Sequence, residues 1–297
     1  MMNMRNFLIV ILSIFGSVAT YAQTNLLNAK IPEEIGLKSD AQLNADNDKP
    51  LEYGYVDDRD VLMGKTVWEI IDLSERINFP LYFPIDTANI GSDRRSLYDV
   101  LTKAIRSGEI SEVYSDSYFN TKKSYKDIQA SLTRIDTTDA GKEQINAGIA
   151  ISPEYIIKQD LTSQDVTQYK IKGYWYFDKR QSELKYRLLG ICPITPDVYT
   201  MNSDDKDYIE LFWVFFPAAR DLLHEAKSFN DKNSAMPISF DQILNSRRFN
   251  AVIYQEENVY GDRTIVSYMK DNAQNQLLEA ERVKDKIRDF EENMWNY

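Results

Sequence analysis

The sequence predicts an α+β chain, an antiparallel sheet with helices packed on it. Three patterns lead there. The stretch YKIKGYWYFDKRQSELKYRLLGICPI alternates apolar and polar residues on both sides of a polar turn, the signature of a hairpin. YIELFWVFFP is a nearly continuous apolar run, as expected for a central strand covered on both faces. Several other segments place apolar residues three or four apart between capping residues, which is helical spacing.

The chain has 297 residues and opens MMNMRNFLIVILSIFGSVATYAQ. Arg5 is the only charge before the apolar run Phe7 to Phe15, and small residues follow as far as Ala22. A charged start, an apolar core and a small-residue end define a secretory signal peptide over residues 1–22, cut between Ala22 and Gln23. Its removal takes one basic residue and no acid, so the net charge of −11 becomes −12. An acidic exported chain is a poor partner for nucleic acid or anionic lipid. Cys192 is the only cysteine, which excludes a disulfide-stapled scaffold.

Residues 23–50 are polar with isolated apolar positions, and read as an extended N-terminal arm. An α+β core is expected over 51–270. It opens with a helix from Val61, because Met63, Val67, Ile70, Ile71 and Ile77 approximate one helical face, with Trp68 at its margin. Asp57 and Asp58 would cap that helix, and Pro80 and Pro84 would end it. A second helix is expected at SLYDVLTKAIRSG, with Ser96 as N-cap and Gly108 as stop, then a short strand at EISEVY. Residues 119–150 are polar and read as an exposed insertion.

In the hairpin, Ile171, Gly173, Trp175 and Phe177 share one face of the first strand, and Leu184, Tyr186 and Leu188 one face of the second. Pro217 closes YIELFWVFFP and opens a helix with core positions Ala218, Leu222, Ala226 and Phe229. ISFDQILNSRRFNAVIY then echoes RSLYDVLTKAIRSGEISEVY: a Ser cap, an aromatic, an acid, an apolar pair and a strand ending in Tyr. This is a weak internal duplication. The chain closes over 271–297 with a protruding amphipathic helix whose seam is Leu277, Ala280, Val283, Ile287, Phe290 and Met294.

Little reaction chemistry is visible. His224 is the only histidine. It falls on the polar side of its helix and reads as an exposed residue, not a general base. One His and one Cys cannot furnish a typical zinc site. Cys192 sits in a strand before Pro193 and reads as a buried structural thiol. Neither a phosphate-binding glycine loop nor a nucleophile elbow occurs. ADNDKP and NSDDKD lack the spacing that bends a loop around calcium. Asp57, Asp58 and Asp60 could serve a secreted carboxylate-dependent hydrolase, but at a helix start they are poorly placed for a carboxylate pair of which one is kept protonated. The expectation is no enzyme, no cofactor and no metal. A glycan-binding envelope protein is the other alternative. The aromatic content, 19 Tyr, 13 Phe and 4 Trp, suits protein interfaces.

YGYVDDRDVLMGKTVWEIIDLSERINFPLYFP (53–84), IKGYWYFDKRQSELKYRLLGICPITP (171–196) and LFWVFFP (211–217) resemble the GldN/PorN family of gliding-motility and type IX secretion proteins of Bacteroidetes. The resemblance implies a periplasmic, non-enzymatic subunit. It implies assembly with an outer-membrane lipoprotein, GldK/PorK, into a large ring, and contact with the motor and core proteins GldL/PorL and GldM/PorM. Candidate partner contacts are Tyr53 and Tyr55 near the arm, the outer face of the hairpin (Tyr174, Tyr176, Lys185, Arg187), and the C-terminal seam (Leu277, Val283, Ile287, Phe290) with Trp295.

Overall fold

A computed structural model describes residues 48–86, 94–148, 150, 152–200, 206–230, 237–270 and 272–295. The signal peptide and residues 23–47 of the arm lie outside these, as do the side chain of Trp295 and all of Tyr297. The expected α+β class is observed. One antiparallel sheet of eight strands runs through the unit formed by residues 49–87 and 94–297.

The first strand corrects the sequence reading. Val61–Asp72 is β1, not a helix. Val67, Trp68 and Glu69 are all buried, so apolar residues occupy both faces and their spacing imitates a helix. The composition was the better guide, because Val, Thr, Trp and Ile prefer a pleated surface. Asp57 does cap, but it caps a single 3₁₀ turn, Asp58–Asp60, by accepting from the Arg59 N–H. Asp58 lies inside that turn and caps nothing.

After a four-residue helical turn at Phe79–Tyr82, helix α1 (Leu97–Ser107) starts at Ser96, whose Oγ accepts from the Asp99 N–H at 3.3 Å, and ends at Gly108 with φ 85°. Only Val113–Tyr114 of EISEVY forms a strand, β2. The polar segment 119–150 is folded. It holds β3 (Lys122–Lys123), α2 (Tyr125–Leu132), β4 (Thr133–Thr137) and α3 (Asp139–Asn146). Ile128 and Leu132 anchor it in the main core. β4 pairs with β5 (Ile156–Asp160) in a separate ribbon.

The expected hairpin is β6 (Gln168–Asp178) and β7 (Glu183–Pro196), paired throughout with one bulge at Lys172/Gly173. YIELFWVFFP is two short strands, β8 (Tyr208–Glu210) and β9 (Trp213–Phe215), which pair with the same strand, β7. Between them the Leu211 N–H donates to the Pro193 carbonyl at 3.2 Å. Helix α4 (Phe216–Glu225) follows, and then a minor ribbon of β10 (Lys227–Ser228) and β11 (Ile238–Ser239). Ser239 forms a capping box with Gln242 at the start of α5 (Phe240–Asn245), which precedes β12 (Val252–Glu256).

The main sheet has the order β12-β1-β6-β7-β9-β2-β3. The two echoed sequence segments therefore build the same unit, a Ser-capped helix and a strand, and their strands lie toward opposite ends of the sheet. Helix α6 (Ala273–Trp295) closes the chain. It does not stand free along its middle: Ala280, Val283 and Ile287 are buried against Val67 and Ile253.

The burial of α4 also differs from expectation. Phe216, Ala219, Arg220, Leu223 and His224 are buried, whereas Ala218 and Phe229 are exposed. His224, expected at the surface, is only 5% exposed. The polar stripe turns inward because α5 presents Asp241 to it. Arg220 Nε donates to Asp241 Oδ1 at 2.8 Å, and His224 Nδ1 lies 3.9 Å from Asp241 Oδ2.

Two glycines of the sheet are cradles for tyrosines. A Cβ on Gly173 would collide with the ring of Tyr186, and one on Gly64 with the end of Tyr174. Tyr186 hydrogen-bonds to the buried Glu69 of an ion pair, whereas Tyr174 is partly exposed and can move aside. Gly173→Ala is therefore expected to cost about 1–3 kcal/mol by overpacking, and Gly64→Ala clearly less. Urea unfolding of both variants checks the ordering.

Candidate interaction surface

Among the described residues, no group of three or more His, Cys, Asp or Glu is arranged to hold a metal ion. The acids at the start of β1 are used locally. Asp57 pairs with Arg59 at 3.0 Å. Its hydrogen bonds with the Arg59 side chain and N–H hold its carboxyl below the usual carboxylate range, the opposite of what a general acid needs. Asp60 and Asp178 share a cavity of about 260 Å³ with Arg180. Asp178 accepts from the Arg180 N–H at 2.9 Å, so it shapes the hairpin turn. Cys192 is buried as expected, and burial pushes its thiol well up.

The candidate contact residues separate into two kinds. Tyr53 is consumed inside the chain. Its ring lies between two guanidinium groups, with Arg220 Cζ 4.1 Å and Arg187 Cζ 4.5 Å from the ring centroid. Its hydroxyl donates to Asn245 Oδ1 at 2.7 Å. Arg187 also donates to the Gly54 carbonyl at 3.2 Å and lies over the buried Tyr176 ring at 5.6 Å. Arg220 donates to the Leu51 carbonyl at 2.7 Å. These side chains clamp the chain where it enters the core. Tyr174 stacks on Tyr176 with ring centroids 6.1 Å apart. Lys185 lies 3.8 Å from both Asp178 and Glu183. In the C-terminal seam Val283 and Ile287 are buried in this chain, and Phe290 meets Phe177 edge-on at 5.8 Å. Those three are core contacts and not free partner contacts. Tyr55 and Leu277 remain open, at 85% and 54% exposure.

Further exposed apolar residues were not singled out from sequence. Phe79 and Phe83 meet edge-to-face at 5.3 Å, near the exposed Ile77. Val259 and Tyr260 form a loop tip, with Val259 93% exposed. Asp262, at φ 57°, braces that loop by accepting from the Asn258 N–H at 3.0 Å. The first cluster was legible as INFPLYFP, which crowds large apolar residues around two prolines.

On the face of the sheet away from α4, Lys172 sits in an aromatic box. Its Nζ lies 4.7 Å from the Tyr118 ring centroid, 5.0 Å from Trp68 and 5.6 Å from Phe119. It donates to the Ser117 carbonyl at 3.0 Å. Burial draws its ammonium below the usual lysine range, against the pull of Asp262, Glu257 and Asp116. Tyr118 also donates to Asp262 at 3.1 Å. Two loops, one from the β2–β3 end of the sheet and one after β12, thus meet over this lysine.

The described residues thus form an α+β scaffold whose charged and aromatic groups hold its own segments together, with several large apolar side chains left exposed. Residues 56–296 match the family model described as "Gliding motility associated protein GldN". The chain belongs to that family and is a component of the gliding-motility and type IX secretion machinery. No curated protein matches it. Among the described residues, no helix is long and apolar enough to cross a membrane.

If the Tyr53 clamp fastens the entering chain, Tyr53→Ala should leave the fold intact while costing about 1–2 kcal/mol of cation–π contact. Limited proteolysis should then cut around residues 49–56 faster than in the parent chain.

Proposed function

We infer that the protein is a non-enzymatic, periplasmic structural subunit. It assembles with a GldK/PorK-like outer-membrane lipoprotein into a large ring, and meets GldL/PorL-like and GldM/PorM-like proteins of the same machine. The family match over residues 56–296 carries this reading. The surface supports it: Phe79 and Phe83 form one exposed aromatic pair, and Ile77, Tyr55, Leu277 and Val259 are also exposed. Separate apolar patches on one subunit suit an assembly that has to make several different contacts.

Co-expression with the lipoprotein, followed by native mass analysis, tests the reading. A discrete megadalton species is expected. A lone chain of about 30 kDa that binds glycans would overturn it. Leu277→Asp, at an exposed position, should shift stability by no more than about 0.5 kcal/mol, and Phe83→Asp, which also gives up the edge-to-face contacts with Phe79 and Tyr82, by about 1–2 kcal/mol. At least one of them should weaken co-purification of the lipoprotein tenfold or more.

A further inference from the structure

Part of the sheet face away from α4 is covered by one loop that is held down through side chains. Residues 115–121 join β2 to β3. The loop is braced within itself: Asp116 accepts from the Tyr118 N–H at 2.8 Å and from the Thr121 N–H at 3.2 Å, and the Ser115 N–H donates to the Thr121 carbonyl at 2.9 Å. Among the described residues, no backbone–backbone hydrogen bond joins this loop to another part of the chain. Its attachments are the Lys172 bond to the Ser117 carbonyl, the Tyr118 bond to Asp262, and the Phe119 ring, which sits on Gly190 and meets Phe215 edge-on. The loop that supplies Asp262 is, by contrast, rooted in the sheet. There the Glu257 N–H donates to the Thr66 carbonyl at 2.9 Å, and Gln255 pairs with Thr264.

The closed arrangement holds three costs. Phe119 lies at φ 61°, a left-handed conformation that is unfavourable for an aromatic residue. Trp68 is 1% exposed, and its Nε1–H has no acceptor among the described residues, whereas a buried donor is ordinarily paired. The Lys172 ammonium has given up water for three aromatic rings and one carbonyl. Unseating the loop returns water to the indole and the ammonium and frees Phe119 to turn. An internally braced segment with costly contacts and few attachments has the physical makeup of an element with two arrangements.

We propose that residues 115–121 are a lid, latched by Tyr118 on Asp262, which swings off the sheet while the strands stay paired and uncovers Trp68, Lys172 and Cys192. The ground beneath it continues a more open part of the same face. Lys172 and Lys170 alternate along β6, opposite Trp68 and Ile70 of β1. Ile70, Lys170, Ile194 and Tyr208 line a groove of about 560 Å³. Opening adds a tryptophan and a lysine to that face. Cys192 is buried with Trp68 and Trp213, and Tyr114, Phe119 and Tyr254 pack against the three. Its thiol therefore reports whether the lid is shut.

The test uses the full exported chain, in which Cys192 is the only thiol. Its rate of reaction with a small maleimide is measured at urea concentrations below the unfolding transition, beside hydrogen exchange of the Trp68 indole N–H. Lid opening exposes little surface, so both rates should stay nearly flat in dilute urea and rise steeply only close to global unfolding. Tyr118→Phe removes the latch hydroxyl and keeps the ring. It should raise both flat rates about threefold to tenfold, the worth of one hydrogen bond. Tyr53→Ala, which loosens the chain elsewhere, should leave them unchanged. Rates that follow the urea dependence of global unfolding down to zero urea would overturn the proposal. So would a Tyr118→Phe chain that labels and exchanges at the parent rates, or a Tyr53→Ala chain accelerated as much as Tyr118→Phe.

Discussion

Everything on the helical side of the sheet depends on one buried ion pair. Glu69, 1% exposed, receives two hydrogen bonds from Arg247, at 2.8 and 2.9 Å, and a third from the Tyr186 hydroxyl at 3.3 Å. Its neighbours on the same face of β1 belong to different cores. Val67 packs with Ile253, Val283 and Ile287 under α6, and Ile71 with Leu97, Phe216 and Phe240 under the other helices. The carboxylate therefore sits at the junction of two apolar clusters. Arg247 reaches it from the turn after α5 in a left-handed conformation, φ 50°, with its guanidinium 4.1 Å from the Tyr186 ring centroid. Breaking one partner of such a pair typically costs about 3–5 kcal/mol, because the other charge is left buried alone. What the pair contributes is position: it fixes the α5–β12 turn against β1, and so fixes where β12 and α6 lie.

The opposite face is organised by a different use of charge. There Lys172, Trp68, Tyr118 and Phe119 form a cation–aromatic cluster under two meeting loops. Phe119, at φ 61°, reaches down onto Gly190, the position opposite Lys172 in β7. A side chain at Gly190 would occupy the space of that ring. The two faces of β1 are thus covered by unlike means, helices with a buried ion pair on one side and aromatic loops around a lysine on the other. That two-sided cover is why β1 carries large residues at consecutive positions.

The same fact explains what could be read in the sequence. The hairpin was legible because β6 and β7 alternate cleanly, and α1 and α5 because Ser96 and Ser239 announce them. β1 was not, because burial on both faces erases the period-two signal and Glu69 interrupts what apolar pattern remains. α4 was legible as a helix, but its buried side was not. Sequence spacing cannot show that Asp241, on a later helix, pairs with Arg220 and lies beside His224, so polar residues were assigned to solvent. The contact residues suffered the same ambiguity. Tyr53, Tyr176 and Arg187 have the composition of an interface, and the interface they form is internal. Family membership was legible from three long blocks of sequence, independently of these errors in local structure.

Attachment by side chains rather than by backbone pairing has a consequence for assembly. A segment added to a sheet through its backbone is held by a ladder of bonds that any extended sequence can make. Leu51–Val56 instead relies on Tyr53, Arg187 and Arg220, which recognise this segment in particular. The clamp fixes Leu51–Val56 beside β7 without a backbone ladder between them among the described residues. Lys185 and Arg187 stand on the same stretch of β7, and charged edge residues oppose indiscriminate pairing.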